Sequence, residues 1–235
     1  MKLRRLKRIG ISCVSVGILS AGLLYASESA ATRLKTSAEV LTEVMAAPDK
    51  GIPQELLENS ECVVIVPGMK KGAFIVGGNY GRGFMLCRQP SGTGWSAPAG
   101  VKVEGGSVGF QIGGSETDVI MLVMNKRGAE KLLSSKFTLG ADASVAAGPV
   151  GRTSSADTDL KMTAEILTYS RSRGVFAGVS LDGATLRPDD DSNVELYPTK
   201  PTNKEIVMGK TEAPAAASQL IAALNRYSAR KEAHK

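Results

Sequence analysis

The sequence predicts an α+β fold: a curled, glycine-rich antiparallel β-sheet, either a sandwich or a partly closed barrel, flanked by N- and C-terminal helices. Three observations carry this reading. Apolar residues recur at helical spacing near each end of the chain, and the stretch from Glu61 to Asn125 consists of short β-branched and aliphatic runs. Those runs are punctuated by glycine pairs (26 glycines in 235 residues), which suit bulges and bends that curl a sheet.

Leu34, Ala38, Leu41 and Met45 stand at i, i+4, i+7 and i+11 with Thr32 placed to cap, so a first helix is expected to run to Ala47, where Pro48 stops it. Pro53 ahead of Glu55, Leu56 and Leu57 predicts a second, short helix ending near Ser60. Strands are expected at residues 62–66, 73–77, 84–88, 101–103, 107–112 and 118–124, with Pro67-Gly68 and Asn79-Tyr80-Gly81 as tight connections. Residues 126–134 read as a short helix that buries Ala129, Leu132 and Leu133, and further strands fit 141–147, 164–170, 175–181 and 184–186. Pro198, Pro201 and Pro214 mark an extended connection before a closing helix over 215–230, whose apolar side is Leu220, Ile221, Leu224 and Tyr227. No boundary divides residues 33–230 and no fixed period repeats, so residues 30–235 are expected to form one domain.

The first 29 residues read as a signal peptide. Lys2, Arg4, Arg5, Lys7 and Arg8 precede an apolar run from Ile9 to Leu24, with small residues Ala26, Ser27 and Ser29 after it. The run is short of the roughly 20 residues that cross a bilayer and contains three glycines, which makes an uncleaved anchor the lesser alternative. Export places the mature chain in a periplasm or outer envelope, with peripheral membrane association open to it. The formal charge of +6 is largely a property of this leader: removing its five cations and Glu28 leaves +2. A generally basic surface for nucleic acid is therefore not expected, and an anionic partner must meet a local cluster. Cys62 and Cys87 remain, and an oxidising compartment allows them to pair. If residues 62–66 and 84–88 are the first and third strands of a meander, the two cysteines fall at opposite ends of the sheet and pack as buried thiols.

The chain offers little material for catalysis. Its one histidine, His234, is next to the last residue, which leaves a histidine triad, a histidine base and an ordinary zinc site hard to build. Gly209-Lys210-Thr211 resembles the end of a phosphate loop, but Lys204 stands where its first glycine belongs. Asp189, Asp191, Asn193 and Glu195 alternate like calcium ligands, yet Val194 and Lys200 occupy the positions of the required glycine and glutamate, so an acidic turn is the expectation. An enzyme would need carboxylates such as Glu104, Asp118 or Asp157 in a pocket. No cofactor, metal or catalytic residue is expected.

Two basic clusters stand out, Lys70-Lys71 with Arg82 and, about 90 residues later, Arg171 with Arg173. Beside glycine turns such clusters either are solvated or present charge to phosphate head groups. The stripe of Leu34, Leu41 and Met45 is likewise either a core face or a membrane-inserting face.

Several motifs taken in order are more specific. Gly77-Gly78-x-Tyr80-Gly81-x-Gly83, Trp95-Ser96-x-Pro98-Ala99, Gly106-Ser107-Val108-Gly109-x-Gln111-Ile112-Gly113, Asp142-x-Ser144-Val145-Ala146-Ala147-Gly148-Pro149-x-Gly151-Arg152 and the run from Tyr169 to Ser180 together resemble the SYLF domain family over residues 33–210. Leu196-Tyr197-Pro198 departs from the tyrosine-glycine pair of many relatives. The resemblance implies lipid binding, through basic residues and an amphipathic N-terminal segment in eukaryotic members, with actin binding in some fungal ones; bacterial relatives are typically exported. The resulting expectation is a non-enzymatic module for anionic phospholipid head groups in a bacterial envelope. Lys70, Lys71, Arg82, Arg171 and Arg173 would meet phosphate, and Leu34, Leu41 and Met45 would enter the interface. A structural or protein-interaction module of the periplasm without lipid specificity is the alternative, its protein partner unknown.

Overall fold

The computed structural model describes residues 28–46, 51–73, 76–90, 93–108, 113–151, 164–172 and 174–229. The segment to residue 27, expected to belong to a signal peptide, and Arg173 lie outside them.

Helix α1 spans Ala30–Met45 and begins two residues ahead of the expected cap, because Ser29 rather than Thr32 accepts the first free amide, that of Thr32 at 3.1 Å. Helix α2 spans Gln54–Asn59. The sheet then opens with two strands of 12 residues, β1 (Cys62–Ala73) and β2 (Val76–Cys87), where the sequence predicted three short ones. The glycines inside these strands bend the ladder without ending it. At Gly68, with φ +59°, β1 carries a bulge that shifts its register against β2 between Ile65 and Lys70. Gly83 lies where β1 comes so close that a Cβ would stand 2.0 Å from the Ile65 carbonyl oxygen.

This register corrects the placement of the cysteines. With residues 62–73 and 76–87 as one antiparallel hairpin, Cys62 at the start of β1 faces Cys87 at the end of β2, their Cα atoms 4.0 Å apart, and the two form a disulfide. They share one end of the sheet because the expected middle strand is the tip of the hairpin.

Strands β3 (Ala99–Val108) and β4 (Gly113–Val123) complete the centre. Helix α3 (Lys126–Leu132) leads to the short β5 (Phe137–Thr138) and β6 (Val145–Ala147), followed by β7 (Ile166–Ser172), β8 (Val175–Gly178) and β9 (Thr185–Pro188). The strands join in the order β5-β9-β3-β2-β1-β4-β7-β6, with β8 also on β7; all described pairings are antiparallel except β6 on β7. The result is the expected α+β fold with a curled sheet. Two helices were not expected: α4 (Asp190–Leu196) and α5 (Asn203–Met208). The acidic run at 189–191 is the first turn of α4, where negative charge suits the positive helix end, and Thr202 with Glu205 forms a reciprocal capping box on α5. A 3₁₀ turn (Ala215–Ala217) and α6 (Ser218–Tyr227) close the described chain.

Both faces of the central strands are covered, which explains their unbroken apolar runs. One face buries Val64, Met85, Val101 and Met121 with α3 and α5; the other buries Ile65, Phe84, Ile120 and Tyr169 under α1 and α6. The second core is tied at its edge by Arg88. Its guanidinium lies 4.1 Å over the Trp95 ring and donates to the carbonyls of Glu58 (3.1 Å) and Ser228 (2.8 Å), while Trp95 Nε1 donates to Ser228 Oγ at 3.0 Å. The ends of α2, β2 and α6 are thereby held to one side chain.

Candidate functional site

Of the five cations expected to act together, Lys70, Arg82 and Arg171 lie on the sheet face that α1 covers, Lys71 lies on the other face, and Arg173 is outside the described residues. Strand alternation sets this. On β2, Phe84 packs under α1, so Arg82 and Tyr80 follow on the same face; on β7, Tyr169 does, so Arg171 follows. On β1 the bulge inserts one residue, Met69 joins the opposite core, and Lys70 comes onto the α1 face while Lys71 points to the other. The ladder then builds two rows across the sheet. One runs through Arg187, Lys102 and Arg82 and resumes beyond the bulge with Asp118 and Arg171; the next runs through Thr185, Glu104, Tyr80, Lys70 and Glu116.

The arginines in these rows already have partners. Arg82 holds Asp189 through Nε at 2.6 Å and Nη2 at 2.8 Å, Asp189 is buried, and Ser192 Oγ donates to the same carboxylate at 2.6 Å. Burial alone would raise the Asp189 carboxyl, but the hydrogen bonds from Arg82 and Ser192 outweigh it and hold the group below the ordinary carboxylate range. Arg33 of α1, almost wholly buried, donates to Ser192 Oγ at 2.9 Å; burial and then the charge of Arg82 depress its pKa. At the other end of α1, Arg171 donates to Asp118 Oδ2 from Nε at 2.8 Å and to Glu43 of α1 from Nη1. Asp118 is in turn fixed by the Gly68 amide at 2.9 Å.

The lysines differ. Lys70 and Lys71 are exposed and Lys102 is half-buried, and none of the three has an ion pair among the described residues. In register with Lys70, Tyr80 stands 49% exposed, one of few large apolar side chains left in solvent among the described residues. Lys102, Tyr80 and Glu43 are site members that reading the sequence did not assign to the surface, and Asp118 and Asp189, considered there for other roles, are the arginines' partners. A signal for the first two was present, since alternation carried back from Phe84 places Tyr80 beside Arg82, but the bulge that rotates Lys70 next to it is visible only in the ladder.

The helix stripe lies in the core. Leu34 and Leu41 have no exposed surface and Met45 packs against the same cluster. Meeting a bilayer would require α1 to leave the sheet and uncover Ile65, Phe84 and Ile120, at a cost of roughly 2 kcal/mol for each large side chain.

Open cavities lined by described residues include two. One of about 370 Å³ is lined by Glu43, Glu116, Thr117, Asp118, Arg171 and Gly174. The other, about 440 Å³, lies at the opposite end of the sheet between the disulfide, α3 and α5. Of the carboxylates considered for catalysis, Glu104 faces Arg187 at 3.7 Å, Asp118 is bound to Arg171, and Asp157 lies outside the described residues. Among the described residues no cluster of side chains suits a metal ion, and no helix is long and apolar enough to cross a membrane.

The fold therefore defines an α+β protein organised on one curled sheet, with a mixed-charge end and helices over both faces. Within that class the chain belongs to the Ysc84 family, described as Las17-binding protein actin regulator, whose profile matches residues 104–227; the SYLF resemblance is thereby supported. It is 37% identical over 177 residues to SH3 domain-containing protein PJ696.02 of Schizosaccharomyces pombe, covering 74% of this chain and 41% of that protein. It is 33% identical over 204 residues to SH3 domain-containing YSC84-like protein 1 of Homo sapiens, covering 84% of this chain and 59% of that one, and 32% identical over 177 residues to protein YSC84 of Saccharomyces cerevisiae, covering 74% and 37%. The chain thus spans between about two fifths and three fifths of these relatives.

Proposed function

We propose that this protein is a non-enzymatic binding module that takes the anionic head groups of phospholipids at a membrane surface of the bacterial envelope. The observation that carries the reading is the end of the sheet beyond α1, where Lys70, Lys71 and Lys102 have no ion-pair partner among the described residues, Lys70 stands in register with the exposed Tyr80, and Lys71 follows it on the opposite face. Lysine stems with charged tips beside an amphipathic ring suit the head-group layer of a bilayer. Each lysine near an anionic surface contributes about 1 kcal/mol, so three give weak, salt-sensitive attachment to which Tyr80 adds apolar contact. Arg82 and Arg171 support this surface from within, neutralised by Asp189 and Asp118. The apolar leader pattern and the disulfide support export to an oxidising compartment.

The family description, which names Las17 binding and actin regulation, favours a second reading, a protein-interaction module. Sedimentation with vesicles separates the two. Binding to anionic but not neutral vesicles, weakened by salt and by combined Lys70→Ala, Lys71→Ala and Lys102→Ala, is the expected result. Equal, salt-indifferent behaviour with both vesicle types would overturn the lipid reading and leave the protein-interaction one.

A further inference from the structure

We propose that Glu43 is an internal competitor of the head-group surface: its carboxylate occupies the outward edge of the Arg171 guanidinium, where a phosphate group would otherwise bind. This inference rests on the lipid reading and specifies how one of its cations is regulated. The two carboxylates on Arg171 are not equivalent. Asp118 takes the Nε and Nη2 edge, both at 2.8 Å, and is itself held by the Gly68 amide, so it fixes the plane of the guanidinium. Glu43 takes Nη1, and its side chain, which lines the 370 Å³ cavity with Arg171, is 65% exposed against 18% for Asp118. Arg171 is the only partner described for Glu43. The competitor can therefore swing away while Asp118 keeps the arginine aimed.

A second observation is the place of Glu43 on its helix. It lies in the last turn of α1, which carries no basic residue, and a negative charge there opposes the helix dipole. The residue thus does not serve helix stability, and its contact with Arg171 is what its position provides. An exposed pair of this kind shifts an equilibrium by no more than about fivefold, small enough for a phosphate at a membrane surface to displace it. The other charges that line the cavity are Asp118, held by Arg171, and Glu116 on β4, which opposes an incoming anion and has Lys70 of β1 as its register neighbour.

The test uses the full chain and vesicles of phosphatidylglycerol or phosphatidylcholine. Glu43→Gln is expected to tighten partition onto phosphatidylglycerol by about threefold to fivefold. Arg171→Gln is expected to abolish that gain, and the double variant to bind like Arg171→Gln alone. Glu39→Gln removes the same charge from the same helix but at a residue that faces Lys35, and is expected to leave partition within about 1.5-fold of the parent. The Arg171 Nε–H resonance, followed with inorganic phosphate and with vesicles, separates the sources. A shift with phosphate in Glu43→Gln marks a site for the phosphate group itself, and a shift with vesicles alone marks a site that needs the membrane.

No tightening in Glu43→Gln, tightening equal to that of Glu39→Gln, or tightening that survives Arg171→Gln would each overturn the inference. Where the parent chain still binds phosphatidylglycerol selectively, only this inference falls. Where neither parent nor variant binds, the lipid reading falls and takes it along.

Discussion

Opening the Cys62–Cys87 bond tests both the register of the central hairpin and the source of its stability. The bond joins residues 25 positions apart that already face each other in a ladder, with β4 on the other side of β1 and β3 on the other side of β2. Reduction should therefore leave the native sheet intact and act on the unfolded chain, which regains the freedom of the closed loop. For a loop of this length the chain-entropy relation gives about 3.5 kcal/mol at 25 °C. With a urea slope of about 2 to 3 kcal/mol/M for a chain of this size, the unfolding midpoint should fall by about 1 to 2 M. The assay is equilibrium urea unfolding followed by far-ultraviolet circular dichroism, with and without a phosphine reductant, and with Cys62→Ser/Cys87→Ser as a permanently open form. Coincident midpoints with and without reductant, or Cys62 and Cys87 titrating as free thiols in the unreduced unfolded chain, would refute the pairing and with it the 62-to-87 register.

Asp189 should dominate one limb of the acid unfolding curve. Its carboxyl is held below the ordinary range, so its contribution is complete above the unfolded value of about 4 and is lost as pH falls through the lower folded value. Asp189→Asn should cost about 2 kcal/mol at pH 7, allowing for the partly exposed Arg82, and flatten the loss of stability below pH 4, measured by urea unfolding across pH. An unchanged acid limb would show that the pair does not act in this way. At Gly83, alanine would drive a Cβ to 2.0 Å from the Ile65 carbonyl oxygen and 2.7 Å from Val66 Cα, both backbone, so Gly83→Ala should cost about 3 kcal/mol or more by thermal or urea unfolding. A loss under 1 kcal/mol would mean that β1 and β2 are not so closely apposed.

Much of the architecture could be read from local pattern. The stripe of Leu34, Ala38 and Leu41, the runs at 62–66, 84–88 and 118–124 and the helix after Pro214 all lie in elements of the expected kind. The difficulty began with glycine. Gly68, Gly72 and Gly78 looked like strand ends, but the backbone hydrogen bonds continue through them, which doubled strand length, brought Cys62 to Cys87 and rotated Lys70 by one face. Helices α4 and α5 escaped because each is too short to show an apolar period; α5 is set by its capping box, and both by burial of Asn193 and Asn203, whose side chains hydrogen-bond the amide and carbonyl of Gly100.

At the site, the cations were visible as charge but their state was not. Arg82 and Asp189 stand 107 positions apart and Arg171 and Asp118 stand 53 apart, so only the sheet order reveals that both arginines are already neutralised. The same order reveals Tyr80 as the register neighbour of Lys70 and Lys102 as that of Arg82. Periodicity also left the role of Leu34 and Leu41 open, because a core face and a membrane face share one pattern.

The measurement that bears most directly on the central claim is the sedimented fraction of the full chain with phosphatidylglycerol and phosphatidylcholine vesicles across a salt series. Selective binding to the anionic vesicles is expected, falling steadily with salt and dropping by about tenfold or more when Lys70, Lys71 and Lys102 are replaced by alanine. Binding that ignores head-group charge, or survives removal of the three lysines, would contradict it.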